Sequence, residues 1–253
     1  MSEHRIITWN VNGLRARADA LVRLWDSLHP TVLCLQEIKC SAEQVPDVVR
    51  ALPDAGVFWN PGPAGYSGTA ILYRASAFPA APPRLTAAPF DSDGRATLLE
   101  VGSRTLVNLY MPSGGRSYRE KLDFYDALIA WADAQLTAGR ALWICGDMNV
   151  AHTDRDIHPR QRAEADIGVR PSERDRVDAL IALGLPDLYR AADPEMDDHF
   201  TWWPYWRGLR EKNQGWRLDY HFASAGFAAV RRLRVHTAVT GSDHAPVSAD
   251  VCV

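Results

Sequence analysis

Short apolar runs recur along the chain, and their lengths and spacing predict its secondary structure. Runs of this kind, bounded by turn residues, are typical of buried strands. The predicted strands are residues 5–9, 31–35, 58–60, 67–74, 97–101, 104–110, 141–145, 218–223, 233–239 and 245–253. Gly102 and Ser103 separate two of these runs, which together indicate a hairpin.

Segments in which apolar residues recur every three or four positions predict helices. The predicted helices are residues 14–28, a helix that opens at 41–44, residues 117–138 and residues 172–184. The longest, 117–138, carries Leu122 and Leu128 on one stripe. The Pro- and Ala-rich residues 75–95 and the charged residues 152–171 are predicted to be irregular.

Strands and helices mix without the strict alternation that an all-parallel sheet requires. The pattern predicts an α+β fold, with two sheets packed against each other and helices outside. A chain of 253 residues can bury one large core or form two small domains. Because no boundary or internal repeat is visible, we expect one domain spanning residues 1–253.

Composition narrows the function classes. Hydrophobic residues make up 47% of the chain, and no apolar run approaches the ~20 residues that span a bilayer. The N-terminus leads straight into a strand, and the cysteines form no CxxC pair, so we expect a cytoplasmic monomer without a membrane partner. Cys34 and Cys145 are predicted to be buried thiols. Since the net charge is −3, any nucleic-acid site must be a local basic patch.

Polar residues interrupt four of the apolar runs where strands should end. They are Asn10 and Asn12, Gln36 and Glu37, Asp147 and Asn149, and Asp243 and His244. A further acid, Asp219, sits near the start of a strand. Each alone is more often a cap or turn residue than a ligand. For Gly146-Asp147-Met148-Asn149, an Asx turn bonded to its own backbone explains the residues as well as a functional site does.

If these strand ends converge, they supply the chemistry for hydrolysis of an anionic substrate. Their oxygen atoms are hard ligands that suit Mg²⁺ or Mn²⁺, whereas zinc is less favoured because no His/Cys cluster has ligand spacing. Asp147 can accept a proton or hold a cation, and Asn149 can donate to an oxyanion. Asp219, if it reaches His244, would fix the imidazole tautomer and support its cation.

Seven motifs resemble, in order, those of the exonuclease III family of apurinic/apyrimidinic endonucleases, within the DNase I-like phosphodiesterase superfamily. They are WNVNGLR (9–15), LQEIK (35–39), YSGTA (66–70), NLYMP (108–112), GDMNVAH (146–152), GWRLDY (215–220) and SDHAP (242–246). Single motifs are weak, but the ordered set, from about residue 5 to 249, is specific. The resemblance implies a four-layer α/β sandwich, with two mixed sheets face to face and helices outside.

The same resemblance implies an activity and its partners. It implies Mg²⁺-dependent cleavage, with Mn²⁺ able to substitute, on the 5′ side of abasic sites in duplex DNA. The cut leaves a 3′-hydroxyl, and 3′→5′ exonuclease and 3′-phosphodiesterase activities often accompany it. The implied partner is double-stranded DNA with abasic or 3′-blocked sites.

Motif by motif, the resemblance also implies residue roles. The implied catalytic residues are Asp147, Asn149, Asp219, His244 and Tyr110. The implied metal shell is Glu37 with Asn10, Asp243, Asp147 and Asn149. The implied DNA-binding residues are Arg116, Trp202, Trp206, Trp216, Leu218, Asn12, Lys39 and Tyr66.

Three of the DNA-binding residues carry specificity in this family. Trp202, Trp216 and Leu218 would line a small apolar pocket that receives the flipped-out abasic sugar, with Trp203 beside them. Arg116 and Trp206 would instead enter the DNA near the lesion. The alternative is that the tryptophans belong to the core, as buried aromatics commonly do. Against it stands the local excess of positive charge, from Arg207, Arg210, Lys212 and Arg217 against Glu211.

The chain departs from the family after His152. The usual Asn-rich, DNA-facing segment is replaced by the charged residues 153–166, which leaves backbone contacts on that side in doubt. Arg160 and Arg162 are candidate replacements, whereas Glu164 and Asp166 oppose them.

Two other functions stay open at this stage. A phosphodiesterase of the same fold could act on a phospholipid, an inositol phosphate or RNA, but the Trp- and Arg-rich residues 202–217 favour DNA. A DNA-binding module without catalysis is the second. The complete set of polar strand-end residues argues against it.

Overall fold

The computed structural model describes residues 3–162 and 166–252. Its strands are β1 (Glu3–Asn10), β2 (Val32–Gln36), β3 (Ala55–Asn60), β4 (Thr69–Arg74), β5 (Arg84–Ala87), β6 (Ala96–Val101), β7 (Arg104–Tyr110), β8 (Ala141–Asp147), β9 (Asp219–Ala223), β10 (Ala229–Val235) and β11 (Val247–Cys252). Its α-helices are α1 (Leu14–Leu28), α2 (Asp47–Arg50), α3 (Tyr118–Thr137), α4 (Pro171–Ala182) and α5 (Leu188–Ala192). Within these ranges, no helix is long and apolar enough to cross a membrane.

The strands form two mixed sheets. The first has the order β10–β11–β1–β2–β4–β3 and the second β5–β6–β7–β8–β9. The pairs β1–β2 and β7–β8 run parallel, with α1 and α3 as their crossovers, and the other pairs run antiparallel. The two strands of each parallel pair therefore have their carboxyl ends side by side. The last paired residues are Asn10 with Gln36, and Tyr110 with Asp147.

Alternating side chains on the central strands build four layers. In β1, Ile6 packs between the two sheets, whereas Ile7 packs on the opposite face with Leu21 of α1. In β8, Trp143 packs between the sheets, whereas Ile144 faces the cluster that α3 and α4 cover. The order is thus helix, sheet, sheet, helix, which confirms the predicted fold class. One domain over residues 1–253 stays a prediction.

Two element predictions were wrong and one short helix was missed, each for a physical reason. β5 falls in the segment predicted to be irregular, because its residues are exposed or half-buried at a sheet edge and show no apolar run. α5 has five residues, too short for a periodic signal, and begins where Asp187 accepts bonds from the Tyr189 and Arg190 amides. β10 lies at 229–235 rather than 233–239. It is an edge strand held by pairing with β11, and because its side chains are largely exposed, it has no apolar pattern that marks its bounds.

Gly146 is the tightest point between β7 and β8. Its φ is +140°, and a Cβ there would lie 2.0 Å from the Leu109 carbonyl oxygen. We expect Gly146→Ala to lower the free energy of unfolding by about 3 kcal/mol, since it combines a clash with backbone strain. Gly184→Ala is the control, because Gly184 has φ +87° but open space around it, and it should cost about 1 kcal/mol. Urea denaturation measures both, and equal losses would contradict the steric explanation.

Candidate active site

The polar strand-end residues converge where the two sheets meet. The Asn10 amide Nδ2 donates to Glu37 Oε1 and to Asp147 Oδ2, each at 2.9 Å. Asn10 and Glu37 follow strands of the first sheet, and Asp147 ends β8 of the second, so one side chain joins both sheets. These residues border an open cavity of about 730 Å³.

Asp147 belongs both to a local turn and to the site. Its Oδ1 accepts the Asn149 backbone amide at 2.9 Å, which is the Asx turn that the sequence allowed. Its Oδ2 accepts from Asn10 and lies 3.8 Å from His244 Nε2. The Asn149 side-chain amide donates to the Met111 carbonyl at 2.7 Å. The turn therefore orients the carboxylate toward the cavity.

Asp219 and His244 form a buried pair. His244 Nδ1 lies 2.8 Å from Asp219 Oδ2, and Asp219 and His244 are 1% and 4% exposed. Burial alone would lower the pKa of His244, but the charges of Asp219 and Asp147 outweigh it and raise the pKa to about 10. His244 is therefore an imidazolium at neutral pH, directed at Asp147 and the cavity.

Asp147 is the group most suited to proton transfer. Burial raises the pKa of Asp147 to about 7; the charge of His244 opposes this, and Asp219 and Glu37 reinforce it. A carboxyl group that changes protonation near neutral pH matches the requirement for a general acid or base.

The acids also suit a hard cation. Asp147, Asp219 and His244 have possible ligand atoms within 4.8 Å of one another. Glu37 and Asp147 are also candidate ligands, because the Asn10 amide donates to both carboxylates and holds them close together. Burial would raise the pKa of Glu37, but bonds from Asn10 and Lys39 lower it and keep the group ionised. The cavity thus holds an acidic site that fits a metal ion.

A chain of polar contacts borders this acidic site. Lys39 Nζ lies 2.5 Å from Glu37 Oε2 and donates to Asn12 Oδ1 at 2.7 Å. The Asn12 amide donates in turn to Asp243 Oδ1 at 2.9 Å. Burial raises the pKa of Tyr110, and the charges of Glu37 and Asp147 raise it further, so its hydroxyl stays protonated. Asn12 and Lys39 thus lie within contact of the predicted metal shell.

Aromatic side chains form one wall of the cavity, next to His244. Trp202 and Trp216 meet edge to face with ring centroids 6.0 Å apart, and Leu218 lies beside them. Trp202 Nε1 donates to Asp243 Oδ2 at 3.0 Å, which ties the wall to the polar chain. Trp203 was predicted to join this wall, and that prediction was wrong: it is 2% exposed and packs with Phe200.

The remaining predicted DNA contacts lie outside this cavity. Tyr66 and Arg116 line an adjoining groove, and Trp206 is 61% exposed on the loop before Trp216. Two of the positive side chains that were counted in favour of DNA binding are bonded within the protein instead. Arg217 is buried and bonded to Asp156 and Asp187, and Arg210 donates to backbone carbonyls.

A sequence model of the Endonuclease/Exonuclease/phosphatase family matches residues 7–244. The chain belongs to this family. It is 32% identical over 262 residues to DNA repair nuclease APEX1 of Danio rerio, covering 96% of the chain and 81% of the relative. It is 31% identical over 252 residues to the exodeoxyribonuclease of Bacillus subtilis, covering 96% and 97%. These matches confirm the resemblance to the exonuclease III family.

Other relatives extend the comparison. Recombination repair protein 1 of Drosophila melanogaster is 34% identical over 253 residues, but the chain spans only 36% of its length. Among solved structures, the 3′ phosphatase NExo from Neisseria, bound to product DNA hairpin, superimposes with a TM-score of 0.88 and 26% identity, covering 99% and 100% of the two chains. An AP endonuclease from Archaeoglobus fulgidus has a TM-score of 0.86 at 23% identity, covering 99% and 100%, which shows a shared fold.

The departure from this family after His152 has a partial structural account. Arg162 is bonded to the Asp154 carbonyl and carboxylate. Asp166 lines the cavity, and Glu164 lies outside the described residues.

Sequence reasoning missed four residues that line the cavity. They are Ser113, Ile167, Gly168 and Arg170. Arg170 stacks its guanidinium 4.6 Å from the Tyr118 ring. It directly precedes Pro171 at the first turn of α4, so its sequence context indicated a helix start rather than a cavity residue.

The His244 imidazole should stay protonated to about pH 10 in the metal-free protein. Because this pKa is raised from 6.5, its contribution to the free energy of unfolding is complete below pH 6.5 and is lost as the pH rises toward 10. Asp219→Asn removes the charge that raises the pKa most, so the variant's pKa should fall. Imidazole NMR titration measures this, with His236 as internal control, since burial lowers its pKa to about 4. A wild-type His244 pKa below 7 would contradict the assignment.

Proposed function

We propose that this protein is a Mg²⁺-dependent DNA-repair nuclease that cleaves on the 5′ side of abasic sites in duplex DNA. One observation carries the proposal: a single cavity is lined by acids, by a buried imidazolium and by a tryptophan wall next to that imidazolium. The polar side fits a phosphodiester, and the apolar side fits a sugar without a base. The similarity to DNA repair nuclease APEX1 and to the exodeoxyribonuclease of Bacillus subtilis supports it.

Glu37 and Asp147 would hold the metal, with Asn10, Asn149 and Asp243 around it. Their oxygen atoms match the preference of Mg²⁺, and Mn²⁺ accepts the same ligands. When bound, the ion would neutralise the phosphodiester and stabilise charge on the leaving oxygen.

The protein's own groups supply the remaining chemistry. Asp147, whose pKa is raised to about 7, handles the proton of the attacking water or of the leaving group. The His244 imidazolium donates to a phosphate oxygen and stabilises negative charge that develops there. Asp219 holds that imidazole in place, 2.8 Å from Nδ1. Asn149 and the Tyr110 hydroxyl are further donors toward the phosphate.

Specificity would come from the tryptophan wall. Extruding an abasic nucleotide costs less than extruding a normal one, because it has no base to unpair or unstack. Trp202, Trp216 and Leu218 would then enclose its sugar and exclude a nucleotide that carries a base. Arg116 and Trp206, outside the cavity, would hold the bent duplex.

The same cavity is also suited to 3′ ends. A 3′-blocking group presents a phosphate next to a sugar with no continuing strand, so 3′→5′ exonuclease and 3′-phosphodiesterase activities would use the same residues. The structural similarity to a 3′ phosphatase supports this addition. A recessed 3′-phosphate duplex, run beside the abasic one, gives the balance of the two activities.

Cleavage of a duplex with one abasic analogue, followed on a denaturing gel, tests the proposal. We expect a cut 5′ of the lesion with Mg²⁺ and none in EDTA. Glu37→Ala should lower turnover on the order of 100-fold or more and raise the Mg²⁺ requirement, since a catalytic metal supplies several kcal/mol. Glu43→Ala, an exposed glutamate bonded to Ser41, is the matched control and should be unaffected. Full activity in EDTA would contradict the metal requirement. Cleavage of phospholipid or inositol phosphate instead of DNA would contradict the proposed substrate.

Trp216→Ala should relax discrimination more than it slows chemistry. The ratio of abasic to undamaged cleavage should fall by roughly 10-fold or more, because loss of one wall of a close-fitting pocket removes steric exclusion. Trp206→Ala should weaken DNA binding and leave the ratio unchanged. Salt must be fixed, since binding to DNA depends strongly on it. An unchanged ratio in Trp216→Ala, with circular dichroism confirming the fold, would return Trp216 to a packing role.

A further inference from the structure

An ion pair is completely buried beneath the cavity. Lys121 of α3 and Glu173 of α4 both have fully buried side chains, and the Lys121 ammonium contacts the Glu173 carboxylate. Lysine and glutamate are almost never fully buried unless they are paired. The pair lies at the contact between two outer helices, within hydrogen-bond distance of residues that line the cavity.

Each partner also holds a loop that lines the cavity. Lys121 Nζ donates to the Asn149 carbonyl oxygen at 2.7 Å. Glu173 Oε2 accepts the Gly168 amide at 2.8 Å and the Arg170 amide at 3.1 Å. Asn149, Gly168 and Arg170 all line the cavity, so one ion pair is bonded to both loops.

One of the two loops adopts a backbone conformation that needs support, since Asn149 is not a glycine. Asn149 has φ +51° and Gly168 has φ +101°. Left-handed conformations of non-glycine residues persist when surrounding contacts hold them. A Cβ on Gly168 would lie 3.0 Å from the Trp216 ring and 3.4 Å from the Asn149 carbonyl oxygen, so the two loops and the tryptophan wall are in contact.

We propose that Lys121 and Glu173 are positioning residues for this site, a role that rests on the proposed nuclease function. Lys121 fixes the Asn149 backbone, and with it the turn whose amide orients the Asp147 carboxylate. Glu173 fixes Gly168, and with it the spacing to Trp216. Neither side chain touches the substrate. The pair couples the catalytic side of the cavity to its specificity wall.

Glu173 also stabilises the start of α4, where its carboxylate accepts the Arg170 amide, so positioning has to be separated from stability. Replacing a buried ion pair by well-packed apolar residues is often neutral or stabilising, whereas removing one partner leaves a buried unpaired charge. The double variant Lys121→Met/Glu173→Leu therefore removes both loop bonds and leaves no unpaired charge. It separates positioning from folding better than either single variant does.

A second ion pair between the same helices provides a control for the loss of charge, with side chains that are 22% exposed for Arg176 and 56% exposed for Asp126. Arg176 Nη2 of α4 lies 2.8 Å from Asp126 Oδ2 of α3, and Arg176 further donates to the carbonyls of Leu122 and Ser172. The variant Arg176→Met/Asp126→Leu removes the same number of charges from the same helix contact.

The test compares both double variants with wild type by single-turnover cleavage of abasic and undamaged duplexes, DNA binding in EDTA, and thermal melting. We expect Lys121→Met/Glu173→Leu to lose about 10- to 100-fold in cleavage rate, the range for residues that orient ligands from behind. Its abasic preference should fall, while its metal-free affinity and melting temperature match those of the control. Rates and preference equal to the control's, or a loss restored by cooling, would overturn the proposal.

Amide hydrogen exchange gives a readout that needs no activity. The amides of Gly168 and Arg170 should exchange faster in Lys121→Met/Glu173→Leu and keep wild-type rates in the control pair. Glu173→Gln, which keeps an acceptor oxygen, should retain part of that protection. If wild type and control both fail to cleave abasic DNA, the proposed function fails, while exchange still decides the positioning. Unchanged exchange at both amides would reject the positioning itself.

Discussion

Negative charge buried between two sheet edges is the constraint on which this site depends. Glu37, Asp147 and Asp219 converge there, and isolated buried carboxylates are unfavourable unless they are paired and hydrogen-bonded. The Asn10 amide bridges Glu37 and Asp147, and the His244 imidazolium lies between Asp147 and Asp219. Donors and positive charge thus surround the acids on the protein side. The side that faces the cavity remains for a cation and an anionic substrate.

Much of the fold followed from periodicity, because the central elements carry strong apolar patterns. The predicted segments 14–28 and 141–145 correspond closely to α1 (Leu14–Leu28) and β8 (Ala141–Asp147). The contacts within the site could not be predicted from periodicity, because Asn10 and Asp147 are 137 positions apart and no local pattern joins them. Only the ordered motifs connected such distant strand ends. Locally, the Asx turn at Asp147 is confirmed through one carboxylate oxygen, while the other oxygen accepts from Asn10. The functional role of Asp147 stays a prediction.

What the sequence did not predict depends on tertiary packing. Trp202 and Trp203 are neighbours with the same composition signal, yet backbone alternation places one in the cavity wall and the other in a core cluster. Arg217 counted as positive charge for DNA, but it is buried against Asp156 and Asp187. Lys121 was not singled out by any sequence pattern, and it is fully buried where α3 meets α4.

The two halves of the site are supported in different ways. On the first sheet, the turn that carries Glu37 is held by backbone bonds: the Gly13 amide donates to the Glu37 carbonyl at 2.8 Å, and the Ile38 amide donates to the Gly68 carbonyl at 3.1 Å. On the second, side chains also hold the turn, through the ion pair of Lys121 and Glu173. Backbone hydrogen bonds remain after most side-chain substitutions, whereas a buried ion pair is lost when either partner is substituted. The half of the site that carries Asn149 and the specificity wall is therefore the half more sensitive to mutation at a distance.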